Sequence, residues 1–113
     1  MFELMHAVRD GVLVLNPTGR LDSATCGAFA AGLADLGESA PSRIVLDLGR
    51  LAYISSAGLR VVLSAAKAAK EAGGALTLCG LHGDIAQVMA VSGFDEVLGA
   101  HATVDAAIAS LKA

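Results

Sequence analysis

The stretch "RIVLDLGRLAYISSAGLRVVL", residues 43–63, carries the change of period that decides the fold. Residues 43–48 are almost continuously apolar and β-branched, as in a central strand buried on both faces. From Ser56 onward the apolar residues recur at helical spacing instead. Leu59, Val62, Leu63, Ala66 and Ala69 share one face, with Arg60, Ser64, Lys67 and Glu71 opposite. This amphipathic helix is expected to stop at Gly73-Gly74, where the left-handed region is cheap. A buried strand followed by an amphipathic helix is an α/β signature.

The flanking sequence extends the pattern. "FELMHAV" and "GVLVLNPTG" surround Asp10-Gly11, a strong hairpin signal. It predicts antiparallel strands over 2–8 and 11–17, the second closed by Pro17. Asp22 or Ser23 can cap a helix running to about Glu38, with Phe29, Leu33 and Leu36 inward. "ALTLCGL" reads as a short strand, "DIAQVMAV" as a short helix ended by Gly93, and "FDEVLG" as a last strand or extended edge. "TVDAAIASL" closes the chain as a helix capped by Thr103. The expected order is β-β-α-β-α-β-α-β-α. That is an α/β fold with an N-terminal hairpin, a mixed sheet, and about four helices packed mainly on one face. At 113 residues, positions 1–113 are expected to form a single domain.

Composition narrows the function. The hydrophobic fraction is 55% and mean hydropathy is +0.65, yet charges interrupt every apolar run short of the roughly 18 residues a membrane span needs. "MFELMHAVRDG" lacks a basic n-region and a long apolar core, so a cytoplasmic protein without membrane insertion is expected. The net charge of −3, with no basic cluster and 4% aromatics, argues against nucleic acid. Cys26 and Cys79 lie far apart, and read as two buried free thiols. His6, His82 and His101 are scattered singly, without metal-ligand spacing, so neither cofactor nor metal is expected.

Ser55 and Ser56 stand at the strand-to-helix corner, and three readings compete: helix cap, nucleophile, or a site another enzyme modifies. The enzyme templates fail. No GxxxxGK[ST] or GxGxxG is present, and "ISSAG" lacks the first glycine of a GxSxG elbow. A serine without an adjacent base is a poor nucleophile. A cap contributes about 1 kcal/mol and accounts for one serine. It accounts for neither the second nor Gly58, whose bare backbone suits close approach by another surface.

Four segments together resemble the STAS domains, in particular the bacterial anti-sigma factor antagonists. They are "YISSAGLRVVL" after "RIVLDLGRLA", "PTGRLDSAT", "KEAGGALTLCGL" and "MAVSGFDEVL". The resemblance implies partner switching. The dephosphorylated antagonist binds a serine kinase of the ATPase-type fold that doubles as the anti-sigma factor, and phosphorylation releases it. A metal-dependent serine/threonine phosphatase would reverse the step. Aligning the Gly-Leu pair puts the acceptor on Ser56, with Ser55 the second candidate where the family often carries Asp. Asp22, Ser55, Ala57, Gly58, Leu59 and Arg60 are implied as partner-binding, and Asp22 serves equally well as a plain cap. The family also implies an alternative: a non-phosphorylated structural subunit of a lipid-transport ABC system or a signalling scaffold.

Overall fold

The computed structural model describes residues 2–37 and 41–112. The chain opens with a hairpin of β1 (Phe2–Arg9) and β2 (Val12–Leu21). Its turn has positive φ at both central residues, 53° at Asp10 and 75° at Gly11. That is the pattern of a type I′ turn, whose twist matches the flanking strands.

β2 does not close at Pro17 but runs through it to Leu21. Counting back from the closing pair Arg9–Val12, bonded and non-bonded pairs alternate, so the nitrogen of Pro17 points away from β1. On that far side β3 pairs only with residues 13–15 and β4 only from Gly19. The missing N–H falls in the gap between them and costs no ladder bond.

Helix α1 spans Cys26–Gly37. Residues 22–25 form a turn before it, so the helix starts later than expected; the expected end at Glu38 lies outside the described residues. The apolar run from 43 then divides into β3 (Arg43–Asp47) and β4 (Leu51–Ile54), both parallel to β2. At the break, Gly49 N–H donates to Asp47 Oδ1 at 2.9 Å. The register on β2 slips by two residues between Leu13–Ile44 and Leu21–Ile54. Next come α2 (Ser56–Glu71), β5 (Ala75–Cys79) and α3 (Gly83–Ser92).

Residues 94–99 are not a strand. Phe94–Leu98 forms a one-turn helix, α4, and only Ala100–His101 pairs with β5, as β6. Gly93, at φ 79°, ends α3 and opens α4. Phe94 and Leu98, four apart, then pack together on the core, while Asp95 and Glu96 suit the positive end of a helix. Helix α5 (Val104–Lys112) follows. Among the described residues there are five helices, in keeping with the expectation of about four, with α4 the addition.

The sheet order is β1-β2-β3-β5-β6, with β4 extending the pairing on β2. Helices α1 to α4 cover one face, where Leu13, Leu15, Leu46 and Leu78 meet Phe29, Val62, Ile85 and Met89. On the other face α5 brings Ala107 and Ile108 against Val12, Val14 and Val45. In α2 the buried positions are Gly58, Val62, Ala66 and Ala69. Leu63, expected inward, is 47% exposed, because it lies about 100° round the helix from Val62. Cys79 is buried as expected, its thiol pushed up to about 12 by burial and by the Asp47 carboxylate, which makes it inert. Cys26 is only half-buried, since it sits on the first turn of α1 with its Sγ 3.8 Å from the Ser23 carbonyl.

Candidate functional site

β2 and β4 run parallel and end side by side, so the segments after them emerge together. Ser55 N–H donates to the Leu21 carbonyl at 2.8 Å. This bond ties the start of α2 to the residue before Asp22. The Asp22 turn and the serine corner thus share the carboxyl ends of adjacent parallel strands, where α/β sheets expose their binding sites.

The two serines divide the work. Ser55 is the N-cap, with extended backbone (φ −95°, ψ 173°) and its Oγ accepting from Gly58 N–H at 3.3 Å. Its carbonyl accepts from Leu59 N–H at 2.9 Å. Ser56 is the first helical residue and is exposed. Among the described residues no hydrogen bond engages its hydroxyl. The backbone N–H groups of Ser56 and Ala57 are those a helix leaves without intrahelical partners. Replacing Ser55 by Ala is expected to remove about 1 kcal/mol and lower Tm by about 4–6 °C. Ser56→Ala is expected to stay within about 2 °C of wild type, since its exposed side chain makes no cap bond and exposed substitutions shift stability little. Paired calorimetric scans check the contrast.

Gly58 turns its bareness inward. A Cβ there would lie 3.0 Å from Ile54 Cγ1 and 3.1 Å from Leu21 Cβ. The close approach is by the molecule's own strands, so Gly58 lets α2 start tight against β2 and β4 instead of presenting a surface. Ala57 and Leu59 are half-buried, and Arg60 is exposed one turn beyond Ser56.

Asp22 caps its own turn. Its Oδ1 accepts from Ala24 N–H at 3.0 Å and Thr25 N–H at 3.2 Å. Asp22 N–H donates to Thr25 Oγ1 at 3.0 Å, and that hydroxyl donates to the Arg20 carbonyl at 2.6 Å. Partial desolvation opposes its charge, but the Ala24 and Thr25 amides, the Thr25 hydroxyl and nearby Arg20 outweigh it and hold the carboxyl below the usual aspartate range. It is an anion at neutral pH.

Sequence reasoning did not find Arg20 and Tyr53. They face each other across the β2–β4 ladder, with the Arg20 guanidinium 4.3 Å from the Tyr53 ring centroid and its Nε 3.8 Å from Asp22 Oδ2. Arg20 and Asp22, two apart, were visible as one face of a strand; Tyr53 joins them only through the slipped register. Among the described residues no three His, Cys, Asp or Glu side chains gather as a metal would require.

Comparisons with known proteins place the chain and its fold in a family. The chain is 42% identical over 103 residues to the Bordetella bronchiseptica protein named "Putative anti-sigma factor antagonist BtrV", covering 91% of this chain and 89% of that one. A Thermotoga maritima crystal structure described as a putative anti-sigma factor antagonist superimposes with a TM-score of 0.89 at 20% identity, covering 97% of this chain and 95% of that chain. The phosphorylated form of the Bacillus cell fate determinant SpoIIAA superimposes at 0.72 with 22% identity, over 97% of this chain and 98% of its own. Residues 3–107 match the STAS domain model, and the chain belongs to the STAS domain family.

Proposed function

We propose that this chain is an anti-sigma factor antagonist acting by partner switching, with Ser56 the phosphorylated residue. Unphosphorylated, it binds a serine kinase that is also the anti-sigma factor. Phosphorylated, it lets go, and a metal-dependent serine/threonine phosphatase resets it. The observation that carries the reading is the division of labour at the corner: Ser55 makes the cap, leaving Ser56 exposed at a helix N-terminus.

A phosphoryl group adds about −1.5 to −2 charge and three acceptor oxygens. At this position it meets the N–H groups of Ser56 and Ala57 and the positive end of the α2 dipole. The fold can hold the product while the surface inverts. Asp22, already an anion, stands across the same strand ends, so the corner becomes strongly acidic. The docking surface comprises Asp22, Ser55, Ser56, Ala57, Leu59 and Arg60, with Gly58 beneath as support. The chain itself is not an enzyme in this reading: the hydroxyl is a substrate of the kinase, with no hydrogen-bonded base to activate it among the described residues. Among the described residues no helix is long and apolar enough to cross a membrane, and the partner is a protein, not nucleic acid.

Incubation with the cognate kinase and ATP is expected to add one phosphate, on Ser56, and Ser56→Ala is expected to abolish incorporation. Peptide mass spectrometry checks the position. Phosphate on Ser55, Thr25 or Ser64 would overturn the assignment, and no incorporation with a kinase that binds the chain would favour the structural-subunit role.

A further inference from the structure

β1 is the end strand of the sheet. Its eight residues pair with β2 in unbroken register from Phe2–Gly19 to Arg9–Val12. Edge strands are usually blunted by proline, a bulge or a run of charge. β1 has none of these: the one proline of the hairpin is on β2, the ladder has no bulge, and the charged residues Glu3 and Arg9 stand near opposite ends. Two of the exposed large apolar side chains lie here, Met5 at 53% and Val8 at 58%.

We propose that β1 is a self-association edge, on which a second copy of this chain docks by antiparallel β1–β1 pairing, with Glu3 of each copy opposite Arg9 of the other. Hydrogen-bond parity leads there. The two-residue turn makes Arg9–Val12 a bonded pair, so Glu3, Met5, Ala7 and Arg9 turn their backbone groups to β2. Phe2, Leu4, His6 and Val8 turn theirs outward, unpaired among the described residues. Two outward sets bond to each other when Leu4 faces Val8 and His6 faces His6 across a two-fold axis. Each bonded pair exchanges two bonds, so the three pairs supply about six.

The same register settles the side chains. Glu3 then falls opposite Arg9 twice, in the closely spaced non-bonded pairs where opposite charges interact best. Met5 falls opposite Ala7. Val8 falls opposite Leu4, whose own packing against α1 at Gly32 holds it in place. Sliding the register by two separates the charges, and parallel pairing sets Glu3 beside Glu3 and Arg9 beside Arg9. Charge complementarity therefore selects one arrangement of identical chains. Arg9 already bonds Asp105 of α5 at 2.6 Å, with both side chains half-exposed or more; this contact steadies the guanidinium on the face where the partner's Glu3 arrives.

The edge is separate from the Ser56 corner, so its test is independent of the switch. Sedimentation equilibrium of the purified chain is expected to show a monomer–dimer equilibrium with a dissociation constant of about 100 µM, as suits an interface at the small end of specific ones. A chain still monomeric at about 1 mM would overturn the proposal. His6→Pro removes only an outward donor, which edge strands tolerate. It is expected to keep its melting curve and lose the dimer; a dimer that survives in it would overturn the edge. Glu3→Arg and Arg9→Glu each create like-charge pairs, and each alone is expected to dimerise at least about 10-fold more weakly. Mixed one to one, they regain both opposite-charge pairs and are expected to form a heterodimer of near wild-type affinity. Failure of the mixture to associate, with both variants folded, would overturn the register.

Discussion

Ser56→Asp is expected to bind the kinase partner about 100-fold more weakly than wild type, with no loss of thermal stability. The size follows from charge. Moving a partner from 99:1 bound to 1:99 takes about 5.5 kcal/mol. Aspartate supplies one negative charge, about half that of phosphate, so about half the effect, or two decades in affinity. The sign of the stability change differs from that of binding. An acidic residue in the first turn of a helix is favourable by about 0.3–1 kcal/mol, and Ser56 is exposed at the head of α2, clear of the cap bond that Ser55 makes. Ser56→Asn, close in size but neutral, is expected to bind nearly as well as wild type, which separates charge from shape. Calorimetric titration of the three forms against the kinase decides it. Wild-type affinity in a folded Ser56→Asp protein would remove charge at this corner as the signal.

Phe29→Ala is expected to cost about 4 kcal/mol, the largest stability loss of any change considered. Phe29 is fully buried and meets the Phe2 ring edge-on, with centroids 5.8 Å apart. The rest of α1 offers little to replace it: "CGAFAAGLADLG" is mostly Ala and Gly, and Leu33 and Leu36 are only half-buried. Against a total of about 5–15 kcal/mol for a typical domain, the loss leaves a marginal fold. Because α1 follows directly from the Asp22 turn, loosening the helix also loosens that side of the serine corner. Urea denaturation is expected to show a midpoint lowered by about 2–3 M with unchanged slope. A loss below about 1 kcal/mol would mean that the neighbours collapse into the space.

Much of the molecule was legible along the chain. Asp10-Gly11 fixes a hairpin because so few dipeptides accept two positive φ angles. Residues 43–48 and 56–71 declare strand and helix through their own periods, and their junction locates the two serines. All of these are local properties, decided by φ preference and by which neighbours share a face. Packing decided the rest. Pro17 looks like a strand end until the gap between β3 and β4 receives its missing N–H. "FDEVLG" reads as an edge until Phe94 and Leu98 find the core four residues apart. Gly58 looks like an invitation to a partner until Leu21 and Ile54 fill the space beside it.

At the corner the sequence by itself determined that a hydroxyl pair stands at a helix start, with an aspartate at the start of another. Which hydroxyl caps and which is exposed was a tertiary decision, made when the Leu21 carbonyl takes Ser55 N–H and orients the first turn. The pairing of Arg20 with Tyr53 was equally tertiary. The residues are 33 positions apart and meet only because the register on β2 slips by two residues between its pairing with β3 and the end of its pairing with β4. Local patterns specify what each segment can become; a register between distant strands is set by the packing of the whole sheet, and no short stretch contains it.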